Sequence, residues 1–125
     1  MQHLVEMKLA NYGRQAGPPN PQDGISFIER FIFPSLELLK KLEAEKKVLA
    51  GGPVAGSIAL AFIVSAESIQ ELDELLESLP VWPLMQTTVT PLTSYDGRMA
   101  AVRPRLERLK AMSRNDPTGT QQEEK

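Results

Sequence analysis

The chain has 125 residues, of which 42% are hydrophobic and 24% charged, with a formal net charge of −2. That is the size and balance of one globular domain able to bury a core without staples. It contains no cysteine and a single histidine, His3. Disulfides, thiolate nucleophiles, Cys-ligated metals and His-rich metal sites are therefore excluded, and a Ser–His–Asp triad would depend on His3.

The slightly acidic balance argues against a general nucleic-acid binder. No run approaches the length of a membrane span. The N-terminus lacks the basic and apolar regions of a signal peptide, so a soluble, cytoplasmic protein is expected.

Residues 3–12 open with alternation. Val5, Met7 and Leu9 point one way and Glu6 and Lys8 the other, as in a half-buried strand. Residues 13–24 are rich in Gly, Pro, Asn and Gln and read as a loop. Residues 25–48 read as a helix, with Ile25, Ile28, Ile32, Leu36, Leu39 and Leu42 at helical spacing. Phe27, Phe31 and Leu38 widen the stripe. This fits a helix lying deep against a sheet, or a second apolar face that meets another subunit. Pro34 removes a backbone donor and crowds the carbonyl of Arg30, so a kink or break is expected there.

Residues 48–56 are glycine-rich but lack the Gly-Lys-Ser/Thr ending of a phosphate loop, and read as a short strand with a bend. Residues 57–66 form an apolar, β-branched run suited to a central strand covered on both faces. Ser68 and Glu71 make a capping-box pattern. Ile69, Leu72, Leu75, Leu76 and Leu79 continue at helical spacing until Pro80. A Thr- and Val-rich strand follows, its regular part confined to about 84–90 by Pro83 and Pro91.

This order predicts an α+β fold: a ferredoxin-like βαββαβ antiparallel sheet with both helices on one face. The other face must meet water or a partner, and a homo-oligomer would cover it. After Tyr95 the composition changes. Met99, Val102, Leu106, Leu109 and Met112 mark a C-terminal amphipathic helix, with Pro104 near its start or at a kink. Between residues 98 and 114, Arg98, Arg103, Arg105, Arg108, Lys110 and Arg114 stand against Glu107 alone, which reads as a solvated basic face, or as a contact for nucleic acid or an acidic partner. The organisation expected is a domain over 1–95, a helix over 96–113 and a disordered tail over 114–125.

Residues 67–93 carry a more specific signal. An acidic helix leads to Leu79-Pro80, then Trp82-Pro83, Met85 and Val89-Thr90-Pro91-Leu92. This block resembles the second half of the muconolactone Δ-isomerase family. The spacing from Gly56 through the following strand to Leu72 agrees with it, and the first strand is similar more loosely. The resemblance implies a dimeric α+β barrel, often assembled into larger rings. It also implies an isomerase of aromatic-compound degradation that shifts a proton between two carbons of an unsaturated lactone, with no metal and no organic cofactor. Three departures stand out. Ser57 follows Gly56 where the family usually has Arg. Leu60 aligns where the family often has Asn. The stretch before the central strand contains no His, Trp or Arg.

A proton shift needs a base near the carbon acid and a donor or cation near the carbonyl oxygen. Glu6 is the first candidate base, sharing one face with Lys8, and partial burial would raise its pKa. The structural alternative is a Glu6–Lys8 ion pair. His3 is the second candidate base, though a histidine so near the terminus is expected at the surface or an interface. Lys8, Tyr12, Ser57, Tyr95 and Arg98 are candidate substrate-binding groups for a small lactone or carboxylic acid. Trp82 is expected to pack at the helix–strand junction or an oligomer interface. Two further readings remain open: a non-catalytic oligomeric domain that binds a small molecule or protein, and a cofactor-free monooxygenase of the same architecture.

Overall fold

The computed structural model describes residues 1–10 and 20–115. Strand β1 (Gln2–Leu9) realises the predicted alternation: His3, Val5 and Met7 are buried, while Glu6 and Lys8 are exposed. The first helical segment, α1 (Pro21–Phe27), begins inside the stretch expected to be loop. Asn20 caps it, its Oδ1 accepting from the Asp23 amide at 2.9 Å, and Pro21 fills a first-turn position whose N–H would have no partner.

Pro34 does not break the helix. A π-helical turn, Ile28–Ile32, precedes α2 (Phe33–Ala44), and the Phe33 amide reaches back five residues to the Ile28 carbonyl. Widening the turn ahead of Pro34 lets the chain continue past a residue that lacks a donor. The helix stops at Ala44, earlier than expected, on a left-handed Lys46 (φ 63°). The Lys47 amide donates to the Leu42 carbonyl and the Lys46 amide to that of Glu43, the paired bonds of a Schellman ending. α1 buries no residue, whereas α2 buries Ser35 and Leu42 and, with Phe31 and Ile32 of the π turn, packs Leu36, Leu38 and Leu39 part-buried against the core, so the run lies against the sheet from the π turn onward.

Strands β2 (Val48–Pro53), β3 (Ala59–Ser65) and β4 (Met85–Leu92) complete a four-stranded sheet of order β2-β3-β1-β4, with every neighbouring pair antiparallel. This is the ferredoxin-like topology. α3 (Ile69–Glu77) joins β3 to β4, capped by Ser68, whose Oγ accepts from the Glu71 amide at 3.1 Å. The returning carboxylate of Glu71 meets the Glu67 amide rather than that of Ser68. A short 3₁₀ turn, Trp82–Leu84, follows.

The core lies on one face of the sheet. Val5, Met7, Leu60, Phe62 and Val64 pack with Leu42, Val48, Leu72, Leu76, Leu79 and Val81. Removal of such side chains from water is the main favourable term holding the fold together. β3, expected to be covered on both faces, is covered on one: Ala61, Ile63 and Ser65 point to the opposite side and are half-buried. β4 pairs through Pro91, beyond the expected limit, because it is an edge strand and needs no donor on its outer side. Gly51, at φ 129°, supplies the bend in β2, and a Cβ there would collide with the Ala61 carbonyl and Phe62 Cα.

The chain divides into two compact units, Met1–Leu92 and Thr93–Lys125. The second contains α4 (Tyr95–Arg114), whose Ser94 cap accepts from the Gly97 amide at 2.9 Å. Pro104 lies well inside this helix rather than at its start. The expected tail falls, from residue 116 onward, outside the described residues. No helix among the described residues is long and apolar enough to cross a membrane.

Candidate functional site

The strand pleat separates the candidate residues. On the uncovered face, β1 sets Glu6 opposite Thr88 and Lys8 opposite Gln86 across the β1–β4 pair. These four line a polar depression of about 220 Å³. The expected partial burial of Glu6 is not met, because this strand face has no helix over it; Glu6 and Lys8 are both exposed. No ion pair joins them, so the structural pairing is not formed: among the described residues the ion pair within 4 Å is Lys47–Glu45, at 3.8 Å. Alternate residues on a strand lie roughly 6.5–7 Å apart, too far for direct contact without bending both side chains together. A carboxylate and an ammonium thus share one face without neutralising each other.

On the helix side lies a cavity of about 300 Å³ between the π turn, the start of α2 and the β2–β3 hairpin. Ile28, Ile32, Leu36, Leu60, Val81 and Met85 give it an apolar wall, and Ser35 and Ser57 contribute hydroxyls. Ser35 is 1% exposed, and its Oγ accepts from the Val81 amide at 3.1 Å, tying α2 to the segment after α3. A neighbouring cavity of about 340 Å³ shares Leu36, Pro53 and Leu60 and adds Lys40 and Glu43.

His3 occupies neither site. It is fully buried on the core side of β1, paired in register with Val64 and Pro91, and both ring nitrogens lack a hydrogen-bond partner. The surface or interface position expected from its place in the chain is corrected by strand parity, which puts it with Val5 and Met7. Tyr12 lies outside the described residues. Tyr95 and Arg98 sit in the first turn of α4, in the second compact unit. Trp82 opens the 3₁₀ turn between α3 and β4, at the expected junction, and is 36% exposed.

Gln86, Thr88 and Ser35 were not singled out from the sequence. The first two alternate along β4 as Glu6 and Lys8 do along β1, but which of them face each other depends on a pairing between residues about eighty apart in the chain. Ser35 interrupts an apolar helical stripe, which is the one local signal it carries.

Residues 29–97 match the family model for muconolactone delta-isomerase. The chain belongs to that family. Two solved structures are similar in fold. Muconolactone isomerase is 21% identical with a TM-score of 0.58, the match covering 76% of this chain and 91% of that one. The 5-chloro-2-hydroxyhydroquinone dehydrochlorinase of Burkholderia phenoliruptrix AC1100, solved with 2,5-dihydroxybenzoquinone, is 23% identical with a TM-score of 0.54, covering 78% and 98%. No curated protein sequence matches the chain.

Within the muconolactone delta-isomerase family pattern, the two departures at Ser57 and Leu60 acquire a common location: both line the apolar cavity. No acidic or basic side chain lines that cavity, whereas the Glu6 depression holds one of each.

Proposed function

We propose that this member of the muconolactone delta-isomerase family is a cytoplasmic, cofactor-free isomerase that moves a proton within a small unsaturated lactone or carboxylic acid. In this reading the reaction takes place on the uncovered sheet face. A second copy of the chain covers that face, so that the two sheets close a dimeric α+β barrel around it. The observation that carries the reading is the Glu6–Lys8–Gln86–Thr88 depression, where a free carboxylate and a free ammonium share one strand face.

The chemistry follows from those groups. The Glu6 carboxylate takes a proton from the ring carbon at the far end of the conjugated double bond, and the electron pair moves through that bond onto the carbonyl oxygen as a dienolate. The Lys8 ammonium and the Gln86 amide stabilise that oxyanion. Glu6 then returns the proton to the carbon beside the carbonyl, and the double bond comes to rest one position along. No atom is gained or lost. Closure by a second sheet excludes water, which strengthens the field that Lys8 exerts on the oxyanion.

Turnover of muconolactone, followed by ultraviolet absorbance, tests the reading. Glu6→Gln is expected to lower kcat on the order of a hundredfold or more, the range of a lost general base. Lys8→Met is expected to lower kcat and raise KM together. Absence of turnover by folded protein would remove this substrate.

A second reading rests on the apolar cavity. With Ser57 and Leu60 where the family has Arg and Asn, it suits a small uncharged ring compound held without chemistry. Calorimetric titration with phenol tests it. Heat that disappears in Ser57→Trp supports it, and no heat from the natural chain opposes it.

A further inference from the structure

α4 lies almost wholly past the family match, which ends at residue 97, so its role is independent of the isomerase reading. Tyr95, Met99, Val102, Leu106 and Leu109 follow one another at alternating steps of four and three residues. On a helix that is a narrow straight seam, the a and d positions of a coiled coil, rather than the broad apolar face of a surface helix. Every one of these side chains is exposed, from 43% at Val102 to 92% at Tyr95.

Most of the charges border the seam instead of lying opposite it. Arg98 and Arg105 run along one flank with Met112, and Arg103 and Lys110 along the other with Asp96 near its start. The rear of the helix carries Gly97, Ala100, Pro104 and Ala111, with Glu107 and Arg108 offsetting each other nearby and Arg114 at its C-terminal end. A helix that merely solvated its polar side would place its cations at the rear. Here four of the six, Arg98, Arg103, Arg105 and Lys110, border the apolar stripe, where a partner's flanking residues would sit.

A second α4 does not fit. A parallel pair would set Arg98 against Arg103 and Arg105 against Lys110, and an antiparallel pair would bring together flanks whose one acid is Asp96. The acidic helix α3 of another copy carries Glu71, Asp73, Glu74 and Glu77, but its apolar stripe is spent on its own core through Leu72 and Leu76. We propose that α4 is a docking helix whose seam receives an acidic amphipathic helix of a partner protein, with Glu or Asp on both sides of its own apolar stripe. A lone helix of this length with an interior proline is marginal in water, so such a partner would also stabilise it.

The probe is a fluorescein-labelled peptide of about three heptads, with Leu at a and d and Glu at e and g. It is titrated with the full chain and followed by fluorescence anisotropy. Saturable binding is expected. The double variant Arg98→Glu/Arg105→Glu is expected to weaken it by roughly threefold to tenfold, because two attractive flanking pairs become repulsive ones. The same variant is expected to gain affinity for a peptide with Lys at e and g, a reciprocity that a misfolded variant would not show. Failure of the natural chain to bind the Glu-flanked peptide would overturn the proposal. So would equal binding of a Gln-flanked peptide, or tighter binding to phosphatidylserine vesicles or to oligothymidine than to the acidic peptide.

Discussion

His3 has no hydrogen-bond partner at either ring nitrogen, although none of its surface meets water. Burying a polar ring without compensation costs stability, and an apolar side chain of similar volume avoids that cost. His3→Leu is therefore expected to raise unfolding stability by about 1 kcal/mol in urea titration. A fall of similar size would contradict the placement. The strand period made the two faces of β1 legible from the sequence. The same parity that pairs Glu6 with Lys8 assigns His3 to the core, and proximity to the terminus was the weaker guide. Gln86 and Thr88 were not legible, because no local signal registers β4 against β1.

Element boundaries show where local chemistry competes with pattern. Pro21 starts a helix inside a Pro- and Asn-rich stretch because Asn20 caps it, and Pro34 is absorbed by a π turn rather than a break. Both readings turned on how a proline is accommodated, which depends on neighbours rather than on the proline. Gly51 is less negotiable. Its φ of 129° and the closeness of the Ala61 carbonyl predict that Gly51→Ala destabilises the fold by about 3 kcal/mol, measurable as a lowered midpoint of thermal unfolding. On α3 the Glu77 carboxyl is held above its ordinary range, first by its hydrogen bond with Asp73, then by the charge of Asp73, with burial and Glu74 adding to it. The unfolded chain loses that arrangement. Stability from this pair is thus fullest below the ordinary carboxylate pKa and declines as pH rises through the raised one. Asp73→Asn is expected to remove this decline, seen as a flatter profile of melting temperature against pH across the weakly acidic range.

At the scale of the whole molecule, the sheet buries one face and leaves Leu4, Ile63, Glu6 and Lys8 on the other. The order of elements was legible because each strand and helix carried its own period. The cavity and the β4 half of the depression were not, since they are brought in from distant segments. Pairing through the open face predicts a sedimentation mass of at least two chains, reduced to one by Ile63→Glu. A natural chain that sediments as a single copy would contradict closure by a second sheet. The central claim is that Glu6 moves the proton, and the turnover number for muconolactone of Glu6→Gln beside Glu6→Asp tests it most directly. With the assembly intact, Glu6→Asp should retain measurable turnover and Glu6→Gln should fall on the order of a hundredfold or more below the natural chain. Full turnover by Glu6→Gln would contradict it.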